Sequence, residues 1–256
     1  MLAALVELAP AGFEQVDGEG YVEFALYGAP GELPTFPDGE AELGGTLVHV
    51  RGEEVPDDWE ERWKRFHVPV LIGGRLWVRP PWEEPAVRPG VTEVVIDPGR
   101  AFGTGTHPTT RLCLELLLGV DSRGSFADLG CGSGVLAIAA AKLGFGPVSA
   151  YDSDRLAIEA TSMNARDNGV VLDRVERFDL RRGLPPVADV VAANLMRPLL
   201  LQLTAAMRER PPGVLIASGL LDHEADEVAA AFASLRESRR LSMKGWTAVL
   251  LRNDPT

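Results

Sequence analysis

From about Phe126 to the C-terminus, short apolar runs alternate with amphipathic ones, a pattern that predicts a mostly parallel sheet covered by helices on both faces. Phe126 to Gly130 is the first such strand and Val135 to Leu143 the helix after it. Val148 to Asp152 predicts a second strand, followed by a helix from Arg155 to Asn168 that stops at Gly169. Val175 to Phe178 reads as a short third strand. Val187 to Ala193 is a fourth, leading through Leu195 into a helix Leu199 to Arg208, with Pro198 in a first turn that tolerates proline. Val214 to Ser218 gives a fifth strand, and Asp222 predicts the N-cap of a helix through Leu235. Arg239 to Met243 and Thr247 to Leu251 flank Lys244-Gly245-Trp246 as an antiparallel hairpin, with Trp246 in the core.

Upstream the pattern changes. Residues 1–55 show Gly and Pro punctuating short alternating runs, Tyr21 to Tyr27 and Thr46 to Val50, which suggests a small α+β domain. Residues 56–90 read as a linker carrying a Trp-rich helix. Trp59 and Trp63 share one helical face, which suits packing against a neighbour or a place at a substrate interface. Residues 91–256 then form the α/β domain.

Composition narrows the class. The chain of 256 residues is 46% apolar, enough for one large domain and a small one. It lacks both a run of ~18 apolar residues and a secretory leader, so a cytoplasmic, non-membrane protein is expected. Cys113 and Cys131 lie in an apolar helix and a glycine turn, poor places for a disulfide, and the four histidines make no metal-ligand spacing. A net charge of −12 argues against direct nucleic-acid binding; it suits a basic protein partner, or serves solubility.

The candidate chemistry begins at Asp128-Leu129-Gly130-Cys131-Gly132-Ser133-Gly134, where an apolar strand gives way to a helix. Asp152 lies 22 positions after Gly130, at the end of the next strand, where a carboxylate accepts hydrogen bonds from a ribose diol. A dinucleotide fingerprint would need a third glycine where Val135 stands. The competing reading of three glycines is an ordinary tight turn. Upstream, Val95 to Thr110 is rich in Gly, Pro and Thr, suits neither strand nor helix, and reads as a functional loop. It ends at a helix Thr109 to Leu118, for which Thr109 is a candidate N-cap.

The Asp-x-Gly-x-Gly-x-Gly pattern resembles the first motif of the class I S-adenosylmethionine-dependent methyltransferases. Ala101 to Thr110, Trp59-x-x-x-Trp63, the glycine turn and Ala192-Ala193-Asn194-Leu195 together resemble the PrmA-type methyltransferases, which modify the large-subunit ribosomal protein numbered eleven. The likeness covers roughly Trp59 to the C-terminus. It implies a Rossmann-like seven-stranded α/β domain with a reversed last strand, preceded by a small ferredoxin-like α+β domain, and S-adenosylmethionine as cofactor. In that family the Ala101 to Thr110 stretch closes over the cofactor. Carried over by motif, the cofactor-binding set is Phe102, Gly103, Thr104, Thr109, Asp128, Gly130, Gly132, Gly134, Asp152 and Asn194, with no metal.

For the reaction, Asn194 is the first candidate: its amide oxygen, at the sheet edge, accepts a hydrogen bond from an incoming amine. The competing role is a turn residue between strand and helix. Methyl transfer from a sulfonium is an in-line displacement that positioning accelerates, and an apolar wall of Leu195 and Phe102 lowers the pKa of a lysine ammonium. His107 is a weaker candidate base, the alternative being that it orders its loop. Asp154 is expected to cap a helix, Gly130 to leave room for the methionine moiety, and Gly219 to mark a close backbone approach.

The expected activity is methylation of lysine ε-amines, with the N-terminal α-amine as a further target, on that ribosomal protein by a monomeric enzyme. The same core also acts on the β subunit of electron-transfer flavoprotein in a related group, and a non-catalytic ribosome-assembly module is a third reading. Against the family pattern, Leu2 to Leu8 reads as the small domain's first helix, so its opening strand is expected to be absent.

Overall fold

The structure is a computed structural model and describes residues 14–18, 21–26, 38–52, 67–85, 89–99, 103, 105–121, 123–186 and 188–253. The helices expected at Leu2 to Leu8 and around Trp59 and Trp63 lie outside them. The chain divides into two compact units between Lys64 and Arg65.

In the first unit, β1 (Glu14–Gly18) pairs antiparallel with β2 (Tyr21–Ala25), and β3 (Gly39–Leu43) with β4 (Thr46–Val50). The second hairpin turns on Gly44 and Gly45 at φ 56° and 76°, the left-handed pair that a two-residue hairpin turn requires.

The second unit opens with a three-stranded sheet of β5 (Val70–Ile72), β6 (Leu76–Arg79) and β7 (Thr92–Val95), the first pair antiparallel and the second parallel. Residues 70–79, which read as linker, are thus paired strands, and Leu76 and Val78 are buried in the main core. Arg79 is buried on β6 because its guanidinium is fully engaged: Nε donates to Glu93 Oε1 at 2.8 Å, Nη2 to Glu93 Oε2 at 3.3 Å and Nη1 to the Glu83 carbonyl at 2.8 Å. Helix α1 (Pro108–Leu118) follows.

Seven strands form the main sheet: β8 (Phe126–Leu129), β9 (Val148–Asp152), β10 (Arg174–Arg177), β11 (Val190–Asn194), β12 (Val214–Leu221), β13 (Arg236–Met243) and β14 (Trp246–Arg252). Their order is β10-β9-β8-β11-β12-β14-β13; β8 to β12 run parallel, and β14 is antiparallel to both neighbours. Helices α2 (Val135–Lys142), α3 (Arg155–Asp167), α4 (Arg197–Glu209) and α5 (Ala225–Ala231) connect them.

The strand sequences explain their places. Central β8 and β11 are near-continuous apolar runs because both faces are covered, whereas β10 and β13 at the edges carry Arg and Glu on exposed positions. Neighbouring residues face opposite sides. Phe126, Val190, Ala192 and Ile216 join one core layer with Leu112, Leu114 and Ile138, while Ala127, Leu129, Val191 and Leu215 join another with Leu200, Leu203 and Phe232.

The helix expected after β12 departs from expectation as well. Asp222 does not cap a long helix: it heads a short 3-10 turn, Asp222–Glu224, and its Oδ1 accepts from Thr247 Oγ1 at 2.7 Å. The helix after it, α5, ends at Ala231.

Candidate active site

Strand order reverses at β8, with β9 on one side and β11 on the other, and open α/β sheets bind ligands beyond the strand C-termini at such a point. The glycine turn, Asp152 and Asn194 all sit on that edge.

The turn is held from three sides. Gly130, Gly132 and Gly134 have φ of 76°, 53° and 82°, conformations that side-chain-bearing residues rarely adopt. The amides of Gly130 and Cys131 both donate to the Tyr151 carbonyl, at 2.8 and 3.0 Å. The Thr161 hydroxyl donates to the Gly132 carbonyl at 3.0 Å. The Gly132 amide donates to Asp152 Oδ2 at 3.0 Å, and Asp152 Oδ1 accepts from the Asp154 amide at 3.0 Å. A carboxylate has about four acceptor positions, so Asp152 keeps capacity for a diol. Asp154 caps α3 as expected, accepting from the Leu156 amide at 2.9 Å.

Asp128 is 0% exposed. Its Oδ2 accepts from the Ala137 amide at 3.1 Å, in the first turn of α2, whose own N-cap, Gly134, has no side chain to offer. Its Oδ1 is buried without a partner among the described residues. Burial pushes its carboxyl up to about 7, the Ala137 amide opposing and the nearby Asp152 charge adding to the shift.

On the other side, Asn194 ends β11 in register with Ser218 of β12. Its Nδ2 donates to Thr110 Oγ1 at 3.4 Å, which leaves Oδ1 as the free acceptor among the described residues. Leu195 turns the chain tightly beside it: its amide donates to the Ser218 carbonyl at 3.0 Å, and its carbonyl oxygen lies so near Gly219 that a Cβ there would sit 2.4 Å away. The close approach expected at Gly219 is therefore to the Leu195 backbone. The space above Gly130 is taken by Leu195 as well, since a Cβ on Gly130 would lie 2.4 Å from Leu195 Cδ2.

Helix α1 starts at Pro108, and its N-cap is His107 rather than Thr109. Thr109, at the second helical position, is 2% exposed and donates its amide to His107 Nδ1 at 3.4 Å; its hydroxyl pairs with the same nitrogen at 2.8 Å. The Ser218 hydroxyl donates to the Thr109 carbonyl at 3.3 Å, tying the helix start to β12. Burial lowers the His107 pKa from its ordinary 6.5 by disfavouring the charged ring. It meets Trp246 edge-on, with centroids 5.3 Å apart; Trp246 is half-buried at the start of β14. His107 thus acts first as a cap, with Nδ1 already occupied.

Gly103 is buried, and its carbonyl accepts from the Ser133 hydroxyl at 2.6 Å. Phe102 and Thr104 lie outside the described residues. The fold therefore brings Asn194, Leu195, His107 and Thr109 together beside β11 and β12, and Asp128, Gly130, Gly132, Gly134 and Asp152 together in or beside the glycine turn. Sequence reasoning missed Thr110, Ser133, Thr161, Ser218 and the pair Asn164 and Asn168; the only local signal was two amides spaced one helical turn apart, on α3 and at its C-cap.

This strand order, with a glycine turn at the switch point and an acid ending the adjacent strand, defines a Rossmann-like S-adenosylmethionine-dependent methyltransferase domain. The family described as Ribosomal protein L11 methyltransferase (PrmA) matches residues 38–254, and the chain belongs to that family. A ribosomal protein L11 methyltransferase of Aliivibrio fischeri strain MJ11 is 46% identical over 240 residues, 86% of this chain and 79% of that protein. One of Shewanella piezotolerans is 46% identical over 198 residues, 75% of this chain and 66% of its own length, just under two thirds. Among solved structures, a ribosomal protein L11 methylase from Lactobacillus delbrueckii subsp. bulgaricus superimposes with TM-score 0.67 at 27% identity, covering 74% of this chain and 100% of that one. A Pyrococcus abyssi tRNA (uracil-54, C5)-methyltransferase with S-adenosyl-L-homocysteine shares the fold, with TM-score 0.52 at 17% identity over 69% of this chain and 56% of that one.

The residues present fit S-adenosylmethionine. Asp128 Oδ1, unpartnered among the described residues, offers an acceptor beside the turn, Asp152 has lone pairs to spare for a ribose, and the positive-φ glycines, lacking Cβ atoms, let a ligand come close to the backbone. Among the described residues no cluster of His, Cys, Asp and Glu is able to hold a metal, and no helix is long and apolar enough to cross a membrane.

Proposed function

We propose that this protein transfers methyl groups from S-adenosylmethionine to amino groups of ribosomal protein L11, to lysine ε-amines first and the N-terminal α-amine as a further target. The carrying observation is the orientation of Asn194: with Nδ2 engaged by Thr110, its Oδ1 is the atom left to accept a hydrogen bond from an amine. Asp152 and the glycine turn hold the cofactor, which supplies an electrophilic methyl group when bound.

The chain's own part is positioning. A lysine arriving as ammonium must lose a proton before its lone pair is available. Contact with the Leu195 side chain removes water from the amine and lowers its pKa, and the proton leaves to solvent. Asn194 then aligns the neutral amine by accepting one N–H. His107 is not assigned as the base, because its Nδ1 is committed to Thr109. Alignment of this kind is worth several orders of magnitude in rate without a strong acid or base.

Charge distribution supports a basic partner. Residues 1–64 hold 15 Asp or Glu against 3 Lys or Arg, a balance of −12, whereas residues 65–256 hold 22 of each and balance to zero. The whole net charge of −12 thus sits on the first unit. A protein that binds RNA phosphates is itself basic, so such a unit attracts it at long range. The working compartment is the cytoplasm, where ribosomal proteins are made, and the working form is a monomer.

The test is to mix the purified protein with S-adenosylmethionine and free L11 and read the intact mass of L11. Increments of one methyl each support the reading and count the transfers. An unchanged mass alongside measurable cofactor binding would mean another substrate.

A further inference from the structure

Asp97 and Gly103 are each fastened to the cofactor turn, and both fastenings converge on Ser133. The Ser133 hydroxyl, 0% exposed, donates to the Gly103 carbonyl at 2.6 Å. The Ser133 carbonyl accepts from Asn164 Nδ2 at 2.9 Å, while Asn164 Oδ1 accepts from the Asp97 amide at 3.0 Å. Asn164 is itself 2% exposed. One turn further, at the C-cap of α3, Asn168 repeats the arrangement on Val95: its Oδ1 accepts from the Val95 amide at 2.9 Å and its Nδ2 donates to the Val95 carbonyl. The two asparagines stand in for a neighbouring strand alongside residues 95–97, presenting a donor and an acceptor where β7 has run out of partners. Packing alone does not ask for this. Polar side chains this deeply buried persist where their hydrogen bonds are complete, and these bonds join a helix, a glycine turn and a loop that are remote in sequence.

We propose that Ser133 and Asn164 are positioning residues for cofactor binding: they set the glycine turn against Asp97 and Gly103, so that the turn is in place before S-adenosylmethionine arrives. The inference rests on the glycine turn being the cofactor site. Neither residue is assigned contact with the cofactor or the amine. They act by holding Gly132 and Gly134 on one side and Gly103 on the other. Gly103 completes the fit: at φ 103° it has no Cβ, and one placed there would stand 3.2 Å from Ser133 Oγ, crowding the hydroxyl.

The experiment compares the full chain with S133A, S133T and N164D, reading S-adenosylhomocysteine affinity by calorimetry, KM for S-adenosylmethionine, kcat at saturating cofactor, and Tm. S133A leaves the Gly103 carbonyl buried and unpaired, and N164D keeps the acceptor for Asp97 while removing the donor to Ser133. For each, cofactor Kd and KM should rise about tenfold, with kcat at saturation within about twofold of the unmodified enzyme. S133T, which keeps the hydroxyl, should restore the affinity. A fall in Tm with unchanged cofactor Kd would reduce the junction to a structural role and overturn the inference. An equal loss of affinity in S133T and S133A would overturn it too. Failure of the unmodified protein to bind S-adenosylhomocysteine would be a different result: it would remove the cofactor reading itself, and this inference with it.

Discussion

Asn194 and Thr110 are 84 positions apart and meet through a 3.4 Å hydrogen bond in which the amide nitrogen donates to the hydroxyl. That bond decides which end of the asparagine faces outward. Replacing Asn194 with Ala removes the acceptor and should lower kcat by at least about a hundredfold, as loss of a positioned group does, while calorimetry with S-adenosylhomocysteine stays near the original value. Full turnover in the variant would end the assignment of Asn194.

Thr110→Val keeps the shape and deletes the partner. The asparagine then rotates freely, and kcat should fall about three- to tenfold, on the scale of one neutral hydrogen bond. KM for cofactor should hardly move. A cofactor KM that rose in step with the loss of kcat would place Thr110 in the cofactor site instead.

Gly219 sits at φ 86°, in a register irregularity of β12 between Ala217 and Leu220, with the Leu195 carbonyl against its Cα. Gly219→Ala meets backbone on one side and left-handed strain on the other, and should cost about 2–4 kcal/mol of stability. Denaturant melts measure this directly. A variant as stable as the parent would show that the Leu195 turn yields more easily than its geometry implies.

Two buried groups give opposite pH dependences. Asp128, whose folded pKa is raised from 3.8 to about 7, binds a proton more readily when folded, so stability should fall as pH rises between those values. D128N keeps an acceptor for the Ala137 amide and carries no charge, so its melting temperature should lose that slope and exceed the parent's at pH 8. Its affinity for S-adenosylhomocysteine should drop. A slope retained in D128N would place the titration elsewhere.

His107 works the other way. Its folded pKa lies below 6.5, so the unfolded chain takes up the proton first, and stability present above about 6.5 is lost as pH falls beneath it. H107N, which keeps a capping acceptor that does not titrate, should flatten the acid side of the stability curve. Ring protonation followed by NMR in the parent checks the same shift; a His107 pKa above 6.5 would contradict it.

Much of this was legible in the chain because buried parallel strands leave continuous apolar runs, as at Val190 to Ala193, and because Asp154 and Asn168-Gly169 mark helix ends locally. What escaped depends on distant partners. The strands at 70–79 are three and four residues long and look like linker until they pair with each other and β6 pairs with β7. His107 displaces Thr109 as cap because Pro108 takes the first helical position, and Asp222 is drawn off its expected helix by Thr247. Asn164, Asn168 and Ser133 bond to backbone across 30 to 73 residues, a relation with no local period.

Asp128 already fills the first turn of α2, and that has a consequence for which molecules the glycine turn accepts. A helix N-terminus facing a turn of this kind ordinarily attracts phosphate, through free amides and the positive end of the helix dipole. Here the Asp128 carboxyl already occupies the Ala137 amide, and the charge of Asp152 lies close enough to raise its pKa. A nucleotide arriving with a pyrophosphate meets negative charge where it needs positive. An adenosine derivative carrying a sulfonium and an ammonium meets the charge it lacks. As the proposed cofactor site, the turn therefore disfavours an adenosine compound that brings phosphate to it and suits one that brings positive charge.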